Sequence, residues 1–168
     1  SMTGLDTLRV AGERSTKRPA SVVGTLLGLG SSMDEEKAAT AKALEVIGQF
    51  GLAAYRDKLI GELSTGTRRV VDIAGLMIQR PAVILLDEPS SGIAQREAEA
   101  LGPVLLDLRT QLGASMVLIE HDMPLLTSVT DRLLALDTGA VVTDGPADDV
   151  LAHPQVVASY LGEASVIA

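Results

Sequence analysis

A chain of 168 residues with 46% hydrophobic side chains and a net charge of −8 is long enough for one domain and holds the apolar material for a core. The acid excess argues against nucleic acid as a partner, which demands a basic face, and the lack of cysteine excludes disulfides, thiol nucleophiles and thiolate metal sites. With aromatic residues at only 2%, Ala, Val, Leu and Ile must do the packing, which suits helices layered on a sheet.

The leading Ser1-Met2 reads as a cloning remnant and is set aside, and no signal peptide is recognisable behind it. No apolar run approaches the ~20 residues that cross a bilayer, so the expected compartment is the cytoplasm. "TLRVA", Thr7 to Ala11, has the composition of a short strand. The basic cluster Arg9, Arg14, Lys17 and Arg18 reads as a solvated loop. "DEEKAATAKALEVIGQF", Asp34 to Phe50, predicts a helix with its acids at the N-terminus, where the dipole favours them. Ala38, Ala41, Leu44 and Ile47 would line one side, and Gly51 would stop it. A second helix is expected from about Ser64 to Gln79, with Val70, Ile73, Ala74 and Met77 on one face and Pro81 beyond its end.

"AVILLD" follows as a strand without alternation, which predicts burial on both faces. A helix is expected from about Gln95 to Leu112, then the strand "SMVLIE", Ser115 to Glu120. A short helix from Pro124 to Val129 leads to "RLLALDTGAVVTDG", two strands about a tight turn at Asp137-Thr138-Gly139. The tail "ADDVLAHPQVVASYLGE" predicts two short helices split at Pro154. Alternation of strand and helix with apolar strands implies an α/β fold with a parallel sheet, whose ligands gather at the carboxyl ends of the strands.

Two such ends carry chemistry. "AVILLDEPSSGI" drives its apolar run into Asp87 and Glu88, two adjacent anions whose removal from water costs several kcal/mol unless a cation or a reaction offsets it. Asp87 is placed to hold a hard cation, most plausibly Mg²⁺, and Glu88 to orient and deprotonate a water. The bland alternative is a strand that simply ends in soluble residues before Pro89. His121, one strand later, could touch a terminal phosphate. "ELSTGTRR", Glu62 to Arg69, opens the second helix with the cap types Ser64 and Thr65 and with Gly66, which permits close backbone approach. Free N–H groups at such an end bind phosphate oxygens, although Ser-Thr-Gly is also an ordinary cap.

The order "LSTGTRR … VILLDEPSSGI … VLIEHD" resembles the ATP-binding subunits of ABC transporters. "LSTGT" resembles the signature, "VILLDEP" the Walker B strand with its catalytic glutamate, "SSGIA" the D-loop, and His121 the switch histidine. The tail is similar to that of subunits serving branched-chain amino acid importers. The resemblance implies a partial P-loop NTPase (RecA-like) parallel sheet with a helical signature subdomain. It divides the chain into a lead-in over 1–18, a helical subdomain and signature helix over 19–80, a partial core over 81–145 and a helical tail over 146–168. It implies Mg²⁺ at Asp87, catalysis by Glu88 and His121, and ATP contacts from Ser64, Thr65 and Gly66. The implied partners are a transmembrane permease and a second ATP-binding subunit, with the assembly peripheral on the inner face of the cell membrane.

This sequence contains no GxxxxGK[ST]. In "GERSTKR", Gly12 to Arg18, Thr16 replaces the glycine before the lysine and Arg18 the Mg²⁺-binding hydroxyl, so the backbone cradle cannot form. "GLGSS", Gly28 to Ser32, has no lysine. The chain resembles the C-terminal two-thirds of a subunit, with the phosphate-loop strand absent, and by itself is expected to be inactive. The open strand edge this would leave predicts self-association. Thr65, Thr67 and Ala94 depart from the family's signature glycine, signature glutamine and D-loop aspartate. Two rivals remain: a non-catalytic module that lends its signature to a partner ATPase, and an aspartic protease suggested by "LDTGA". The second needs two such loops in a mostly β fold, and Asp-Thr-Gly is also good turn chemistry.

Overall fold

The computed structural model describes residues 2–13 and 30–161. Arg14, Lys17 and Arg18 of the basic cluster, most of "GERSTKR", the start of "GLGSS" and the last residues of the tail lie outside the described residues. The chain divides into two units, Ser1–His121 and Asp122–Ala168.

The first unit opens with helix α1, Gly4–Glu13, where a strand was expected over Thr7 to Ala11. The local signal that decides for helix lies just upstream. Thr3 Oγ1 accepts the Asp6 N–H at 3.1 Å, while the Asp6 carboxylate accepts the Thr3 N–H at 3.2 Å and its hydroxyl at 2.7 Å. This reciprocal cap satisfies orphan donors of the first turn. Leu8, 1% exposed, then anchors α1, which packs on the two helices that follow.

Helix α2, Gly30–Gln49, begins earlier than Asp34 and turns a different face inward. Ala43, Val46 and Ile47 are buried, whereas Ala38, Ala41 and Leu44 are exposed. The run "AATAKALEVI" is apolar on several faces, so periodicity alone could not choose the stripe that meets the rest of the unit. Two 3₁₀ turns, Ala53–Tyr55 and Ile60–Glu62, lead to helix α3, Thr65–Gln79, with Ser64 as its N-cap. Val71, Ile73, Ala74 and Met77 are buried along it, and Arg80, in left-handed backbone at φ 50°, closes it before Pro81.

Strand β1, Val83–Asp87, is followed by helix α4, Gln95–Leu112, and strand β2, Ser115–Ile119. The strands pair in parallel, with Leu85 beside Val117 and Asp87 beside Ile119. The expectation that these strands are buried on both faces fails. Ile84 is buried, but Val83, Leu85, Val117 and Ile119 are 57%, 74%, 55% and 59% exposed. Side chains alternate across a pleat, so one face of this pair turns to the core and the other has no cover among the described residues.

The second unit contains helix α5, Met123–Val129, and an antiparallel hairpin of β3, Leu133–Asp137, and β4, Ala140–Gly145. The Asp122 carboxylate caps α5 by accepting the Leu125 N–H at 2.9 Å. Thr138 and Gly139, both at positive φ (47° and 82°), make the tight turn as expected. A two-residue loop with that backbone matches the right-handed twist of the strands. Helix α6, Ala147–Leu151, and helix α7, Pro154–Val156, follow on either side of His153, and a π turn spans Val157–Leu161. Its core gathers Leu133, Ala135, Val150 and Val156.

Candidate functional site

The carboxyl ends of β1 and β2 bring three of the predicted residues together. Immediately after β1 the chain turns sharply, and Glu88 takes left-handed backbone at φ 43°. Its N–H donates to the Ile119 carbonyl at 2.8 Å, and its carbonyl accepts the Ser91 N–H at 3.0 Å. A non-glycine residue in this region carries strain of roughly 1–3 kcal/mol. The strain is held by this pairing to β2 and by Pro89, whose side chain is fully buried. Glu88 Oε1 thereby lies 3.9 Å from His121 Nδ1, both side chains open to solvent. Asp87, exposed, is the last residue of β1.

Glu120 was not among the predicted site residues, yet it organises this corner. One carboxylate oxygen accepts the Ser90 N–H at 2.7 Å. The other accepts the Ser90 hydroxyl at 2.8 Å and the His121 N–H at 3.2 Å. Ser90 is 9% exposed, so these bonds fix a nearly buried turn between Glu88 and the D-loop-like "SSGIA". The available signal was an acid directly after the apolar run "VLI", the same pattern that singled out Asp87.

Ser64, Thr65 and Gly66 form the first turn of α3. Ser64 Oγ accepts the Thr67 N–H at 3.1 Å and lies 2.9 Å from Thr67 Oγ1. Thr65 is exposed and Gly66 is buried. The turn lies against the start of α4, where Ser64 Oγ donates to Glu97 Oε1 at 3.4 Å.

The exposed Asp87 carboxylate is an oxygen donor of the kind a small hard cation takes. Among the described residues no three His, Cys, Asp or Glu side chains gather into a closed metal cage.

A parallel strand pair ending in adjacent acids, with a histidine at the neighbouring strand end and a helix capped by Ser64, defines an α/β protein with its polar residues gathered at strand ends. Residues 5–91 match the family model described as ABC transporter, and the chain belongs to that family. Over 163 residues it is 30% identical to the high-affinity branched-chain amino acid transport ATP-binding protein BraF of Pseudomonas aeruginosa, covering 97% of this chain and 63% of that one. It is 36% identical over 125 residues to the methionine import ATP-binding protein MetN of Caulobacter vibrioides, covering 74% of this chain and 37% of that protein. A nucleotide-free ATP-binding cassette from an ABC transporter superposes with a TM-score of 0.72 at 26% identity, covering 93% of this chain and 61% of the other. The chain thus spans somewhat under two-thirds of the length of BraF.

Proposed function

We propose that this chain is the water-activating and signature-bearing part of an ATPase subunit that energises solute import. The observation that carries the reading is the convergence of Asp87, Glu88 and His121 at the ends of β1 and β2, with Glu88 and His121 3.9 Å apart. Glu88 would accept a proton from an attacking water, and His121 would donate to the terminal phosphate. Asp87 would hold Mg²⁺, whose charge offsets what builds up on the phosphoryl oxygens. The first turn of α3, with Ser64, Thr65 and Gly66, would meet the nucleotide of a second subunit. ATP and Mg²⁺ are the cofactors this reading assigns.

The solute is proposed to be an amino acid, branched-chain by likeness to BraF, with MetN pointing to the same substrate class. A transmembrane permease and a peripheral position on the membrane are the partner and the place this reading assigns; among the described residues no helix is long and apolar enough to cross a membrane. A second reading is a non-catalytic interaction module that lends its signature to a partner ATPase.

The test is ATP turnover by the full-length subunit. Glu88→Gln keeps the shape and removes the base, so kcat is expected to fall by ~10²–10⁴-fold with nucleotide binding retained. Wild-type turnover in that variant would overturn the catalytic assignment. Absence of turnover in the wild-type full-length subunit would favour the non-catalytic module.

A further inference from the structure

Gly66 has a neighbour that the reading above leaves unused. A Cβ at this position would meet the Glu97 carboxylate at 2.5–2.8 Å, far inside van der Waals contact. Glu97 sits in the first turn of α4, thirty-one residues further along the chain. Its Oε1 accepts the Ser64 hydroxyl at 3.4 Å, and its Oε2 accepts the Ala94 N–H at 3.3 Å. Ala94 is the N-cap of α4 and has no side-chain oxygen with which to cap it. One carboxylate therefore touches the turn that opens α3 and also serves the turn that opens α4.

We propose that Glu97 is a positioning residue, a clasp that joins the Ser64–Gly66 turn to the Ser91–Ala94 turn so that both are offered to a partner subunit in one fixed geometry. Gly66 then leaves room for the clasp, since a Cβ there would make the flexible Glu97 carboxylate shift away from the two turns. The clasp also gives Ala94 a structural partner where the family resemblance leads one to expect an aspartate. Its functional consequence rests on the reading of α3 as half of a composite nucleotide site; its structural content does not.

A double-mutant cycle on the full-length subunit tests it, read by amide hydrogen exchange at Ala94 and by ATP kinetics. Glu97→Ala is expected to speed exchange at Ala94 by ~5–10-fold, the loss of one hydrogen bond. Gly66→Ala in the wild-type background should do the same at a distance, and in the Glu97→Ala background it should add less than ~2-fold. Glu97→Gln keeps an oxygen acceptor and should restore protection. Loss of the clasp in Glu97→Ala should raise KM for ATP by ~3–10-fold with kcat within ~2-fold, because Asp87, Glu88 and His121 are untouched. Glu97→Gln should stay near the wild-type KM, which separates positioning from charge. Unchanged Ala94 exchange in Gly66→Ala, or an additive effect in the double variant, would overturn the clasp. A wild-type subunit without turnover would sink the ATPase reading instead, and the exchange cycle would still judge the contact.

Discussion

Asp6 shows how one side chain overrules a local composition. "TLRVA" taken alone has strand character, but the Thr3–Asp6 cap commits the backbone to a helix before that run begins. The hydroxyl and amide hydrogens of Thr3 hold the Asp6 carboxyl below the ordinary aspartate value, and Arg9, 4.0 Å away, adds a smaller pull in the same direction. A carboxyl lowered in the native state leaves the unfolded chain binding more protons at mildly acid pH. Its contribution is thus complete above the unfolded pKa and is lost as pH falls through the folded one. Asp6→Asn should lower stability at neutral pH in urea unfolding, and the gap to wild type should shrink at acid pH, below the ordinary aspartate range. A gap of equal size at both pH values would mean that the charge is not what caps α1. Glu88 and His121 were legible as residues because their types and order are unusual. Glu97 and Glu120 were not, because their roles depend on which distant turn their carboxylates reach.

At the scale of elements, helix boundaries followed from capping chemistry. α4 begins and ends where its residues predict, with Gly113 at φ 60° beyond the last turn. The facing of elements was harder to read. In β1 the residues Ile84 and Leu85 are equally apolar and adjacent, yet one is 2% exposed and the other 74%. Ile84→Ala should therefore destabilise by about 2–5 kcal/mol, the range for truncating a buried aliphatic side chain. Leu85→Glu should change stability by no more than ~0.5 kcal/mol. Comparable losses from both substitutions in chemical denaturation would show that the Leu85 face is covered in solution. α2 teaches the same lesson, since its apolar residues spread over more than one stripe and only packing chose Ala43, Val46 and Ile47.

For the molecule as a whole, the uncovered face of β1 and β2 matters most. Val83, Leu85, Val117 and Ile119 form a contiguous apolar patch on a two-stranded sheet whose pairing, among the described residues, stops after one partner. Such an edge and face attract another strand or apolar surface. The isolated 168-residue chain is expected to self-associate with rising concentration, and Leu85→Glu to reduce it. Light scattering after size exclusion that gives a monomer at every concentration would remove this expectation. The net charge of −8 and the exposed Asp87 carboxylate at the end of the same face oppose association without preventing it, because Val83, Leu85, Val117 and Ile119 are themselves uncharged.

The amino-acid sequence by itself determined the α/β class, most element boundaries, the hairpin turn and the acids and histidine at the strand ends. Each of these depends on local chemistry: caps, turn conformations, and polar residues placed directly after apolar runs. Only the tertiary structure decided which stripe of α2 and which face of β1 are buried, and that Glu97 bridges two turns. Those outcomes depend on contacts between residues far apart in the chain, and apolar segments of nearly uniform hydrophobicity carry no record of which neighbour they will meet.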